Sequence, residues 1–174
     1  SRMCDLAYFY KDILGDFKKA EGYYKRALAA AEDEDDLREV EWKLAYLYFR
    51  CGKKKDARIH AARSLEHFRK SGSGTEENYL NYLPFGPARL MRFGWLYICL
   101  GDTQKGLKML EDMTRWPRCR QCRYKACYEG FQHLGMYYEA VGDLGKAREC
   151  YEKAYEFNGH DISIIIALKR IQKL

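Results

Sequence analysis

Proline and long apolar runs are both scarce in this chain. Only three prolines occur in 174 residues. Because a proline removes an amide donor and clashes with the preceding turn, their scarcity leaves helix open almost throughout. The longest apolar stretches, around 93–100 and 162–168, fall far short of the roughly 18 residues that a membrane-crossing helix needs. No stretch has the pattern of a signal peptide. Histidine is also sparse, at four residues. His60 and His67 share a helical face with no matched carboxylate or nucleophile beside them in the sequence, and His160 sits in a turn, so all three read as surface residues. Phosphate-binding glycine loops, dinucleotide glycines and carboxylates paired at catalytic spacing are missing. The expectation is a protein that is not an enzyme and holds no cofactor.

What is present favours helix: Ala, Leu, Glu, Lys and Tyr dominate, with 47% apolar and 32% charged residues. Formal charge is +6, laid out in blocks: acidic at Glu32-Asp33-Glu34-Asp35-Asp36, basic at Lys53-Lys54-Lys55 and over 115–125. Such blocks read as solvated turns, so neither nucleic acid nor a membrane is the expected partner. Seven cysteines, an odd number spaced mostly like ordinary helix residues, point to free thiols in a reducing, cytoplasmic setting.

Residues 134–155 set the organisation. Leu134, Gly135 and Tyr138 precede a Gly142-Asp143 pair, and Leu144, Ala147, Tyr151, Ala154 and Tyr155 follow it. The pattern predicts two amphipathic helices folded back at Gly142, small residues where backbones touch and large ones filling the gap. The same offsets recur after Gly15-Asp16, at Phe17, Ala20, Tyr24, Ala27 and Leu28. A second unit turns at Cys51-Gly52, with Leu44, Ala45 and Tyr48 before it and Ala57, Ala61, Ser64 and Leu65 after; a third has Phe93, Gly94 and Tyr97 before Gly101-Asp102, with Gly106 and Leu110 after. Units are expected over about 4–31, 37–70, 87–117 and 123–158, in one domain. Insertions fall at 71–86, whose Tyr79, Tyr82 and Phe85 are expected to pack back on the stack, and at 116–124. Asp35 or Asp36 is expected to cap the second unit. Pro87 suits the third unit's first turn, and Asn158-Gly159 stops the fourth. A last helix over 161–174, capped by Asp161, puts Ile164, Ile165, Leu168 and Ile171 inward and Ile162 and Ile166 on another face. Since Ser1-Arg2-Met3 runs into a pattern already under way, a fragment of a larger protein is expected.

These positions make the chain resemble the tetratricopeptide repeat family, closely in the fourth unit and well in the first, although Lys11 replaces the expected first-helix tyrosine. The second and third units depart further, with Ser64, Gly106 and Met113 where alanine is usual. Turn glycines 37, 49 and 41 residues apart exceed the roughly 34 of the regular repeat, the surplus lying in the insertions. The resemblance implies an all-α fold: a right-handed superhelix of about four antiparallel helix pairs, a TPR-like α-solenoid, with a C-terminal capping helix. It implies a scaffold that binds a peptide or protein segment on a concave face of first helices, as the sensing or recruiting part of a regulator.

Carried over unit by unit, the concave positions are Asp5, Phe9 and Asp12; Glu39, Trp42, Lys43, Tyr46, Phe49 and Arg50; Met91, Arg92, Trp95 and Ile98; and Glu129, Gln132, His133, Met136 and Glu139. The candidate peptide-binding set is Phe9, Trp42, Lys43, Tyr46, Phe49, Arg50, Met91, Arg92, Trp95, His133 and Met136: flat rings and methionines for contact area, cations for carboxylates or backbone oxygens. A chaperone-tail specialisation is not expected. It would hold a terminal carboxylate with lysine, asparagine and arginine, but Asp5, Phe9 and Lys43 stand at three of those places and only Arg92 fits. Two alternatives stay open. Cys119 and Cys122, spaced C-x-x-C, with Cys127 beyond, make a weak zinc motif short of a fourth ligand; a zinc-stabilised, basic insertion would face nucleic acid or an acidic protein. Alternatively, the Ile162/Ile166 face or the 79–85 segment would make a homodimer.

Overall fold

A computed structural model describes residues 2–71, 86–115 and 125–173. Among these all regular structure is helical: α1 (Arg2–Tyr8), a π turn (Phe9–Ile13), α2 (Phe17–Ala29), α3 (Glu34–Arg50), α4 (Lys54–Lys70), α5 (Gly86–Leu100), α6 (Thr103–Thr114), α7 (Lys125–Ala140), α8 (Leu144–Phe157) and α9 (Ile162–Gln172). Helices pair as antiparallel hairpins, α1 with α2, α3 with α4, α5 with α6 and α7 with α8, and each hairpin packs on the next in an α-solenoid closed by α9.

The turns follow directly from residue chemistry. Gly15, Gly52, Gly101 and Gly142 all have positive φ, between 68° and 102°, a region that side chains with a Cβ avoid. The aspartate after three of them caps the next helix: Asp16, Asp102 and Asp143 accept the amide N–H of Lys19, Lys105 and Lys146 at 3.0, 3.3 and 3.1 Å. Lys53 follows Gly52 and gives α4 no side-chain cap. At α3 the acidic block caps through Asp33, which accepts the Asp36 N–H at 2.8 Å. Asp35 and Asp36, the residues expected to cap, instead occupy the first turn, where their charge favours the positive end of the helix dipole. Asp161 caps α9 as expected, accepting the Ser163 N–H at 2.9 Å.

Small residues stand where backbones meet. A Cβ on Gly106 would lie 2.4 Å from the Gly94 carbonyl oxygen, so α5 and α6 touch backbone to backbone. A Cβ on Gly135 would strike the Tyr151 ring at 2.8 Å, and Ala147, Tyr151 and Ala154 are wholly buried. Ser64 takes an alanine position by donating its hydroxyl to the Arg38 carbonyl at 3.0 Å, which satisfies the polar atom in a buried place.

Two expectations need correction. Tyr155, expected to fill the α7–α8 gap, is 46% exposed; it lies in the last turn of α8 with its ring over Gly159. His60 and His67 are not surface histidines without carboxylates. Each Nδ1 meets a carboxylate of α3, His60 with Glu41 and His67 with Glu34, tying α4 to α3. These partners are distant in sequence and adjacent only once the hairpin closes. Ile162, by contrast, is the most exposed of the large apolar residues, at 63%. The 71–86 insertion, apart from its ends, and the 116–124 insertion lie outside the described residues.

Candidate functional site

First helices face one another across the inner side of the array. There α3 touches both α5 and α7, and α9 returns to the π turn of the first unit. The inner side is therefore a bounded cavity of about 350 Å³.

Its wall begins with the π turn. Leu14 N–H bonds to the Phe9 carbonyl and Asp16 N–H to that of Tyr10, so the helix widens here. Two adjacent charged residues, Lys11 and Asp12, end up 4% and 5% exposed. Burying either alone would be costly, and partners make it possible. Lys11 Nζ lies 2.6 Å from Asp12 Oδ2, and Arg50 Nη1, arriving from the end of α3, donates to Asp12 Oδ1 at 2.8 Å. Arg50 Nη1 also donates to Tyr46 Oη at 3.2 Å, which in turn donates to Met136 Sδ at 2.7 Å. The Lys11 ammonium stands 4.3 Å over the Tyr46 ring and 5.4 Å from that of Tyr8. Burial pulls the Lys11 ammonium down to about 8, Asp12 opposing that fall. Burial pushes the Asp12 carboxyl up, but Lys11 and Arg50 outweigh it and hold the group below the usual range.

A second polar chain crosses the opposite side. Trp95 Nε1 donates to His133 Nδ1 at 3.1 Å, which leaves the His133 proton on Nε2. Burial, with the nearby Lys11 charge adding to it, lowers His133 to about 3. Further along, Glu139 takes Arg170 on both oxygens at 2.6 and 2.8 Å and accepts from Tyr151 Oη at 2.8 Å. Gln132 donates to Ser163 Oγ at 2.6 Å, joining α7 to α9.

His133 makes the fold acid-sensitive in a definite window. An unfolded chain takes up this proton near pH 6.5 while the folded chain resists it to about 3, so stability falls as pH drops between those values. His133→Gln is expected to flatten the loss between pH 6.5 and 5 by about 2 kcal/mol, before most carboxylates begin to titrate. Urea midpoints measured across that range test it; parallel curves for the two proteins would show that His133 is not the responsible group.

Six of the eleven candidate residues line the cavity: Trp42, Lys43, Tyr46, Met91, His133 and Met136. The others stand elsewhere. Trp95 is 1% exposed and acts in packing and as the donor to His133. Arg50 is spent on Asp12 and Tyr46. Phe49 packs edge-on against Trp95, 5.8 Å between centroids, and borders a separate recess with Tyr137, Lys54, Lys55 and Arg58. Arg92 reaches Glu39 at 2.6 Å, which also holds Lys43 at 3.0 Å. Phe9 is 46% exposed and lies off the cavity wall. Asp5, Tyr8 and Asp12 share the inner face of the first helix at ordinary three- and four-residue spacing, Tyr8 standing there in place of Phe9, and Lys11 joins Asp12 in the cavity wall.

Sequence reasoning left Lys11, Tyr8, Tyr24, Tyr128 and Asp161 out of the site, although all line the cavity. The available signal was Lys11 itself, a charge where a tyrosine is usual. Among the described residues no group of His, Cys, Asp and Glu could hold a metal ion. Cys119 and Cys122 and the side chain of Cys127 lie outside them. Cys4, Cys51, Cys99 and Cys150 are free thiols. No described helix is long and apolar enough to cross a membrane.

Residues 128–161 match the family model described as Tetratricopeptide repeat. No curated protein matches the chain. Among solved structures, TPR-like repeats of a Podosopora anserina protein described under kinesin light chain share 17% identity over 99% of this chain and 92% of that one, with a TM-score of 0.50. The apo form of RapI shares 18%, covering 95% of this chain and 47% of that one, at 0.43. A thermophilic TPR protein of Thermus thermophilus, TTC0263, shares 17%, covering 99% and 98%, at 0.39.

Proposed function

Starting from a chain that is a TPR-like helical array with one repeat matched by the tetratricopeptide family, we propose that it is a cytoplasmic protein-interaction module that takes a short segment of a partner into the cavity on its concave face. The observation supporting this is the convergence of α1, α3, α5 and α7 on one space. Trp42, Tyr46, Met91 and Met136 give that space contact area, and Lys11 and Lys43 together with Asp5, Asp12, Glu129 and Asp161 give it charge of both signs. The return of α9 to the π turn limits how much enters. A volume of about 350 Å³ suits a short stretch of a partner and not a whole folded element. The partner's remaining residues lie over the rim.

A displayed peptide library selected against the folded chain tests this reading. Met91→Arg, which sets a guanidinium into the cavity, is expected to weaken the selected peptides roughly tenfold or more. Ile59→Arg, on the exposed side of α4, is expected to leave them unchanged. Equal binding by Met91→Arg, with helicity intact by circular dichroism, would remove the cavity from the function.

A further inference from the structure

We infer that the recess at the turn end of the second and third helix pairs is a second binding surface, which takes an acidic segment of a partner protein through one aliphatic side chain and the carboxylates beside it. It is separate from the cavity and does not depend on it.

The recess holds about 410 Å³ among the ends of α3 and α5, the starts of α4 and α6 and the last turn of α7. Its charged wall is of one sign. Among the described residues Lys54, Lys55 and Arg58 border it, no carboxylate does, and none of the three cations has an ion-pair partner. Lys53, by contrast, reaches Glu21 at 3.3 Å. The two acids nearest in sequence are placed otherwise: Asp102 accepts the Lys105 N–H as the cap of α6, and Asp56 stands outside the lining. Lys54 and Lys55 do not serve their helix either, because the dipole disfavours positive charge in the first turn. Three cations gathered without an anion favour a partner that brings negative charge.

The other walls choose among anions. Ile98 and Cys99, both buried, and the half-buried Leu100 give the recess an apolar lining. Cys99 brings no chemistry of its own: its thiol donates to the Ala45 carbonyl at 3.5 Å, and burial pushes it up to about 12. Phe49 and Tyr137 stack at 6.1 Å between centroids, and each has another ring against it, Trp95 at 5.8 Å and Tyr138 at 5.3 Å. Little open face is left for a nucleic-acid base to stack on, and three cations at one recess make no track for successive phosphates. What the rings offer is edge, and an aromatic edge carries partial positive charge that suits a carboxylate. A small inorganic anion would leave the apolar lining unused, and an uncharged peptide would leave the cations unanswered. An aliphatic side chain flanked by carboxylates uses both.

The probe is an end-blocked peptide with one leucine between two pairs of glutamates, titrated by calorimetry into the whole chain at low salt, about 50 mM. Saturable binding is expected, weakened roughly tenfold by Arg58→Glu or by glutamine in place of the glutamates, and about fivefold by alanine in place of the leucine. Lys108→Glu makes the same charge change at an exposed position of α6 outside the recess. It is expected to hold affinity within about twofold, with the helicity of both variants checked by circular dichroism. No saturable binding, or equal losses from Arg58→Glu and Lys108→Glu, would overturn the inference. So would an oligothymidylate of equal charge that binds as tightly and loses as much on Arg58→Glu, which would make the recess a nucleic-acid site. Binding lost on Met91→Arg and kept on Arg58→Glu would put the probe in the cavity, overturning the recess and leaving the interaction reading in place.

Discussion

Asp12→Ala is expected to cost about 3–5 kcal/mol, because it strands two buried cations. Lys11 and Arg50 are held by the same carboxylate at 2.6 and 2.8 Å. Removing it leaves both buried cations without their anion. The cost is that of uncompensated burial, not of the lost attraction, and this predicts a rescue. Lys11→Met in the same chain removes one stranded charge while keeping an unbranched side chain of similar reach. The double variant Asp12→Ala/Lys11→Met should therefore be more stable than Asp12→Ala alone, and Lys11→Met by itself should be nearly neutral. Urea denaturation of the four proteins decides it. A loss of unfolding free energy under about 1 kcal/mol for Asp12→Ala would show that the cluster is hydrated and not buried as described.

The second large effect is steric. Gly106→Ala is expected to destabilise by about 3 kcal/mol, at the top of the range for overpacking. A Cβ there would sit 2.4 Å from the Gly94 carbonyl oxygen, 2.6 Å from Ile98 Cγ1 and 3.0 Å from the Ile98 nitrogen. Two of the three atoms are backbone, so no rotamer change relieves the contact and α5 must separate from α6. Gly22→Ala makes the matched control. Its Cβ would meet nothing within 4 Å, and replacing a mid-helix glycine by alanine should stabilise by about 0.5–1 kcal/mol. Opposite shifts in thermal midpoint are expected from the same chemical change. A Gly106→Ala protein as stable as the original would mean that the two helices are not in backbone contact.

The difference between those glycines marks a boundary between what local pattern reveals and what it hides. Both lie in the second helix of a pair. Gly106 carries information because it stands where the repeat usually has alanine, opposite Gly94; Gly22 has no such counterpart. The turn glycines and the aspartates after Gly15, Gly101 and Gly142 were legible for a similar reason. Positive φ and N-capping are chemistry of a few consecutive residues, and the sequence states them without reference to the rest of the chain. Ala20, Ala147, Ala154 and Tyr151 were legible too, since recurrence at fixed offsets exposes the packed face.

The site was only half legible. Trp42, Lys43, Tyr46, Met91, His133 and Met136 line the cavity because first-helix register carries over correctly wherever the helix is regular. Phe9 failed because the inner stripe of the first helix runs through Asp5, Tyr8 and Asp12, which leaves Phe9 beside it and exposed, while Lys11 turns in next to Asp12. Trp95 failed differently, since its aromatic bulk suits a groove and a core equally well. Only the arrival of Tyr46, Phe49 and His133 around it makes it core.

By itself, then, the sequence determined the helices, their turns and caps, and the small-residue faces on which they stack, because each depends on residues within a few turns of one another. Tertiary structure alone decided that the inner face closes to a bounded cavity, that Asp12 holds two cations, that His60 and His67 find carboxylates on α3, and that Asp161 comes to border the cavity as well as cap α9. The contacts of Arg50 with Asp12, His60 with Glu41, His67 with Glu34 and Tyr46 with Met136 join residues 19–90 positions apart. Which of them meet is set by the angle at which one helix pair packs on the next, a quantity summed over every interface and written in no single one.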